Sequence, residues 1–249
     1  MRSLNSALAT FLVIVVFISL LGSIQSLSLS VPARLLVLET LVPGQRLDLE
    51  AEAPASFWNI CKNEKEPLIV VGRQGRSLHF RGIEVFVENG NTIAATGRIA
   101  EITERGEDEG SRWAGRSGEV KWLGRLVEDD NLLSDDDNKK PFALEELHKL
   151  SDTLMELSKE WEELVRVTGR ERFPGHLDEI LQDLGDRPSQ PNARALWIAG
   201  LVNPHPALGV ALEIRPAILT AKSTHRRLVM TEQGLRDSIS RLRCPGPCF

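Results

Sequence analysis

The sequence predicts an α+β fold with the strands first and the helices after them. Two observations carry this. The hydrophobic period is two over the first part of the chain, and it turns helical from about residue 142. Between the two lies a run of charge, 128–140, with few apolar residues. A run of strands followed by a run of helices is the pattern of an α+β arrangement.

The β part begins with 34–40 (RLLVLET), a short apolar run, and Pro43-Gly44, a turn signal. Residues 46–52 (RLDLEAE) alternate strictly. Leu47, Leu49 and Ala51 fall on one face and Asp48, Glu50 and Glu52 on the other, as in a half-buried strand. Residues 67–72 (PLIVVG) form a continuous apolar run bounded by Pro and Gly, the mark of a strand buried on both faces. Residues 83–87 (IEVFV) alternate again, and Asn89-Gly90 is a strong hairpin signal. The strand at 92–102 carries Gly97, which marks a bulge or a close approach. A last strand is expected over 119–127 (EVKWLGRLV). Short strands joined by Gly-containing turns suggest a barrel or a sandwich.

In the helical part, Leu147, Leu150, Leu154, Leu157, Trp161 and Leu164 are spaced 3, 4, 3, 4, 3. That stripe is too short to argue a coiled coil. It reads as one long helix packed onto the domain, with a dimer zipper as the rival, and Gly169 and Pro174 end it. Residues 176–184 read as a short helix stopped by Gly185. A mostly apolar helix follows over 188–202, stopped by Asn203-Pro204-His205-Pro206, and then a short one over 212–220 despite Pro216. Ser223 or Thr224 caps a last helix to about Leu242, with Leu228, Leu235, Ile239 and Leu242 inward.

After Arg2 no charge occurs until Arg34, and 7–24 (ALATFLVIVVFISLLGSI) is nearly all apolar. Eighteen such residues are borderline for spanning a hydrocarbon core of about 30 Å. The segment reads as a signal peptide cleaved near Ser26, with an uncleaved signal-anchor as the competing reading. Entry to the secretory pathway or a membrane anchor is thus expected, with an organelle such as a plastid if the leader is bipartite. The organisation expected is 1–30 leader and linker, 31–140 β-rich half, 141–243 helical half and 244–249 tail. Once the leader is set aside, enough chain remains to bury a real core.

Hydrophobic content of 42% and charged content of 26% are ordinary for a globular protein, and the net charge of −5 gives no footprint for nucleic acid. Cys61, Cys244 and Cys248 are too few for a disulfide framework. Cys244 and Cys248 either close a small tail loop in an oxidising compartment or stay free thiols; two clustered cysteines supply too few ligands for zinc. The acidic run at 128–140 lacks the EF-hand spacing and reads as a solvated linker. No G-x-x-x-x-G-K-S/T phosphate loop, G-x-S-x-G elbow or H-E-x-x-H pair is present. The five histidines, His79, His148, His176, His205 and His225, are scattered, none at ligand spacing with another. No catalytic residue, cofactor or metal ligand is therefore assigned. An enzyme with an unfamiliar site would instead show a deep pocket lined by carboxylates or histidines of perturbed pKa.

Two stretches together resemble the N-terminal domain of Lon-type proteases. The first is 33–49, where Leu41, Val42, Pro43, Gly44, Gln45, Arg46, Leu47 and Leu49 match the family's turn from one strand into the next. Pro43 presets φ and Gly44 accepts a positive φ, which suits a tight turn. The second is the helical half: 195–202 (ALWIAGLV) with Trp197 as anchor, the link 204–206, the helix 214–219, and Arg227-Leu228 in the final helix. The strand 97–102 (GRIAEI), beginning at Gly97, is similar to a family segment, and 112–126 matches loosely. The likeness runs over 31–243. Where the family often has F-E-x-x-Y, this chain reads Glu52 to Trp58 as EAPASFW, and the ATPase and Ser-Lys protease parts of Lon have no counterpart here.

The resemblance implies a β-rich pseudo-barrel followed by a helical bundle. It implies a non-catalytic recognition module: in Lon this unit helps recognise unfolded or degron-bearing substrates, and the versions in cereblon and in RING-containing proteins also act in recognition rather than catalysis. The partners expected are polypeptide clients or a protease, with membrane contact through residues 7–24. The competing reading is a membrane-tethered scaffold or assembly factor that dimerises through the Leu147 to Leu164 stripe. The residues that carry the likeness, Pro43, Gly44, Leu47, Leu49, Gly97, Trp197, Arg227 and Leu228, read as structural.

Overall fold

Antiparallel pairing dominates a sheet that closes on itself. In the computed structural model the described residues are 30–49, 52–63, 65–74, 77–107, 113–125, 144–202 and 214–244. The apolar leader 7–24, the acidic run 128–140, the link 203–206 and Cys248 lie outside them. The strands are β1 (Val31–Val37), β2 (Arg46–Asp48), β3 (Leu68–Val71), β4 (Arg73–Gln74), β5 (Ser77–Leu78), β6 (Arg81–Glu88), β7 (Thr92–Arg105) and β8 (Arg116–Arg125). The helices are α1 (Ala55–Asn63), α2 (Leu144–Thr168), α3 (His176–Leu184), α4 (Pro191–Val202), α5 (Arg215–Thr220) and α6 (Thr224–Arg243). Among the described residues no helix is long and apolar enough to cross a membrane.

The strand order is β2-β7-β6-β3-β1-β8, and β7 pairs with β8 as well, so β7, β6, β3, β1 and β8 form a closed five-stranded barrel. Closure depends on the length of β7. Its first part pairs with β6 and β2, and its last part, from Arg98 to Arg105, pairs with β8. Among the described residues only β1 and β3 run parallel, with Arg34 opposite Leu68. The continuous burial of β3 follows from apolar contact on both faces. Leu68 and Val70 join Leu36, Ile83 and Val85 in one cluster, while Ile69 and Val71 join Leu35, Ala100 and Val120 in another. Asn89 (φ 50°) and Gly90 (φ 88°) turn the chain between β6 and β7, as the Asn-Gly pair predicts. At Gly97 the ladder breaks step. Val85 faces Ala95 but Ile83 faces Ile99, so Thr96, Gly97 and Arg98 bulge opposite Glu84. The Glu84 carboxylate accepts from Thr96 Oγ1 (3.1 Å) and Arg98 Nη1 (2.9 Å).

The alternation over 46–52 does not continue as a strand. β2 ends at Asp48, and the amides of Glu52 and Ala53 turn back onto the Leu49 carbonyl. Pro54 then starts α1, which places Phe57, Trp58 and Cys61 in the same cluster as Leu49 and Ile93. Period-two reading misses this helix because its apolar residues are few and adjacent. It also misses the short β4–β5 hairpin.

The α2 stripe is spent within the molecule. Leu147, Leu154 and Trp161 are buried with Trp197, Leu201, Leu228, Leu235 and Leu242, and Leu150, Leu157 and Leu164 pack against that core. Trp161 Nε1 donates to Ser238 Oγ of α6 at 2.8 Å. The helix α4 is buried nearly all round, which is why its sequence shows no polar face. A fourth cluster, Val42, Ile99, Leu196, Ala199, Ile214, Ile218 and Leu219, joins barrel to helices.

At Gly82 of β6 a side chain would run into backbone. A Cβ there would lie 2.6 Å from the Val70 carbonyl oxygen and 2.6 Å from Ile69 Cγ2. Gly82→Ala must push β6 off β3, and a loss of about 3 kcal/mol is expected from overpacking, read as a lower urea midpoint of the whole-chain transition.

Candidate functional site

The turn at Pro43-Gly44 delivers Gln45 into the seam between barrel and helices. Gly44 has φ 84°, and the Gln45 amide donates to the Val42 carbonyl (3.1 Å), which closes the turn. The Gln45 carbonyl accepts from the Ala95 amide (2.9 Å), tying the turn to β7. Its side chain is buried and reaches three ways. Oε1 accepts from the Val42 amide (3.0 Å) and from Arg215 Nη1 (3.3 Å), while Nε2 donates to the Gly200 carbonyl of α4 (3.1 Å). Arg215, 3% exposed at the start of α5, also donates through Nη2 to Glu39 Oε2 (3.0 Å). Gly200 permits the approach: a Cβ there would meet Leu184 Cδ2 at 2.8 Å and Gln45 Cγ at 3.3 Å.

Beside this joint lies a cleft of about 370 Å³. One wall is Glu39, Leu41 and the consecutive residues Gln45, Arg46 and Leu47 from the barrel. The other is α3 and the bend before it, with Arg172, His176, Glu179, Ile180, Asp183 and Leu184. Gly200 and Arg215 close it at the seam. Arg46 spans the walls: Nε donates to Glu88 Oε2 (2.7 Å) and Nη1 to the Asp183 carbonyl (2.8 Å). The α3 wall is held by Glu171, whose carboxylate accepts from the amides of Gly175 (3.2 Å) and Leu177 (3.0 Å) and so caps the helix. Phe173, 41% exposed, packs on the His176 ring with centroids 4.7 Å apart.

The electrostatics of the cleft are mixed. Partial desolvation at the cleft wall holds the exposed Asp183 carboxyl above its ordinary range; Arg46 pulls it down, and Glu179 and Glu88 push it further up. Elsewhere in the helical half, Glu162 is also raised, first by burial, although it accepts from Arg187 Nη2 at 2.7 and 2.8 Å. Arg187 lies over the Trp197 ring at 5.7 Å, so that pair supports the entry to α4. The cleft does gather a histidine and carboxylates, one of them perturbed, which is what an unfamiliar active site would show. Its lining contains no serine, threonine, cysteine or lysine, and Glu179 and Asp183 are solvent-exposed. No group of potential metal ligands forms among the described residues.

The residues singled out in the sequence are spread over both halves. Pro43, Gly44 and Leu47 lie at the joint and cleft; Leu49 is buried at the barrel end against α1, and Gly97 is the bulge. Trp197, Arg227 and Leu228 lie in the helical half. Trp197 Nε1 donates to the Gly185 carbonyl (3.2 Å). The buried Arg227 guanidinium donates to the carbonyls of Ile218 (3.3 Å) and Ala221 (2.8 Å) and to Asn192 Oδ1 (3.1 Å), pinning α4, α5 and α6 together. Leu228 is fully buried. Cys244 is half-buried, and its proposed partner lies outside the described residues. The sequence names Gln45 only as part of the turn and Gly200 only as part of an apolar helix, and it does not single out Arg215; the joint they form is what sequence reasoning overlooks. A glycine inside an apolar helix does signal close packing, but a lone glutamine or arginine carries no mark of burial.

Gln45→Met keeps the side chain's volume and removes its hydrogen bonds. The Val42 amide and Gly200 carbonyl then lose buried partners, and a loss of about 3 kcal/mol is expected from unmet polar groups. Urea titration checks it: the midpoint falls while the slope stays the same.

No protein-family model matches the chain. No curated protein matches it either. Among solved structures, it is similar to the N-terminal domain of the Lon protease of the Mycobacterium avium complex, at 15% identity and a TM-score of 0.49, with 83% of this chain and 99% of that one covered. It is also similar to a Lon N-terminal domain protein from Xanthomonas campestris, at 17% identity and a TM-score of 0.45, with 80% of this chain and 95% of that one covered.

Proposed function

We propose that the chain is a non-catalytic protein-recognition module that takes polypeptide clients in the cleft between barrel and helices, and that it acts as an adaptor in protein quality control or proteolysis. The observation that carries this reading is the cleft itself. It has an apolar floor of Leu41, Leu47, Ile180 and Leu184, charges of both signs on its walls, and an exposed phenylalanine beside it. Such a surface offers apolar contact together with donors and acceptors for a peptide backbone, and it is held by a buried joint, so little ordering entropy is lost on binding. The motif-level resemblance to Lon N-terminal domains points the same way. The scaffold reading needs the Leu147 to Leu164 stripe for dimerisation, and that stripe is covered by the molecule's own α4 and α6.

Full-length protein with a photo-crosslinking residue at position 173 is expected to capture a chemically unfolded client and not its native form. Phe173→Ser removes an exposed aromatic, so thermal stability should hold while client affinity falls by roughly tenfold, the scale of one aromatic anchor. Crosslinks confined to other exposed positions such as Phe80 and Phe86 would remove the cleft from this role.

A further inference from the structure

The cleft is bordered by the open edge of a β-strand. Among the described residues β2 pairs with β7 on one side and with no strand on the other. The antiparallel ladder determines which backbone groups remain on that side. Leu47 faces Ile93, the Gln45 carbonyl accepts from Ala95 and the Leu49 amide donates to Asn91. Alternation then turns the N–H and C=O of Arg46, the residue between Gln45 and Leu47, away from β7. Gln45, Arg46 and Leu47 are consecutive in the cleft wall, as an edge strand bordering the cleft requires. The charge of the site is uneven in its partners. Arg46 and Arg215 are each held by carboxylates, Glu88 and Glu39. Arg172 lines the cleft with no hydrogen bond or ion pair among the described residues and is exposed.

We infer that the cleft accepts an extended segment of a client chain as an added strand along the open edge of β2, with an apolar side chain over Leu47 and Ile180 and a neighbouring Asp or Glu side chain on Arg172. This rests on the polypeptide-recognition reading above and gives its mode. Main-chain hydrogen bonds supply sequence-tolerant affinity, and the pocket and the arginine supply the choice among segments. The shortness of β2, three residues, confines pairing to a brief stretch and keeps the edge from seeding aggregation. The added segment is internal, so its carboxylate comes from a side chain and not from a chain end.

The test uses the full-length protein and fluorescent peptides of about eight residues, close to strand length, acetylated and amidated so that the ends carry no charge. A peptide alternating apolar and acidic residues is expected to bind about fivefold more tightly than its lysine-substituted counterpart, the scale of one exposed ion pair. Arg172→Glu should reverse that order while leaving thermal stability unchanged. Backbone N-methylation at every second residue should weaken binding about tenfold in one register and leave it nearly unchanged in the other. Equal loss in both registers, or none in either, overturns strand addition. A preference that survives Arg172→Glu overturns the assignment of the carboxylate. If unfolded client proteins crosslink at position 173 while no peptide binds with these signatures, the recognition reading stands and strand addition falls; if neither client nor peptide binds, both fall.

Discussion

One buried amide joins the two halves of this molecule. Gln45 leaves a Pro-Gly turn of the barrel and satisfies, with a single side chain, a barrel amide, an α4 carbonyl and an α5 guanidinium. A buried polar group costs free energy unless its partners are present, so the arrangement is cooperative: each partner is placed by a different element, and all must dock together. Apolar contact between Val42, Ile99, Leu196 and Ile218 draws barrel and helices together without direction. The hydrogen bonds of Gln45 add direction, and they fix where α4 crosses the turn. The geometry of the cleft follows from that crossing.

The helical half uses the same device a second time. From α6, Arg227 binds two carbonyls at the end of α5 and one amide side chain of α4, and Trp161 and Trp197 each combine a buried ring with a satisfied N–H. These contacts place α3, the outer wall of the cleft, only indirectly. Its position depends on the Glu171 cap, the Trp197 bond to Gly185 and the Arg46 bridge to Asp183. The α3 wall is thus held by fewer buried groups than the core behind it, as regions of lower local stability commonly are.

The cleft brings together groups of both charges. Its carboxylates are exposed, its histidine is packed against Phe173, and two of its three arginines are engaged with carboxylates. The apolar floor of Leu41, Leu47, Ile180 and Leu184 and the edge of β2 lie beside them.

The order of strands then helices, the Asn-Gly hairpin, the buried strand at 68–71, the bulge at Gly97, and the final helix with its Ser223 cap were legible in the sequence, because period, turn chemistry and capping act over a few neighbouring residues. The long α2 stripe was legible as a helix, but only packing showed that α4 and α6 cover it. The sequence was silent on α1, where tertiary burial of Phe57 and Trp58 against the barrel overrides a strand-like run before it. It was silent too on closure through β7, since a strand's sequence states which face is apolar and not which partners it pairs with. The cleft belongs wholly to the tertiary level. Gln45, Gly200 and Arg215 are separated by up to 170 residues, and their meeting is a consequence of how two halves dock. Local patterning determined the elements of this protein; the contacts that assemble the cleft were decided by long-range packing, because no short stretch of sequence records the partner that will desolvate it.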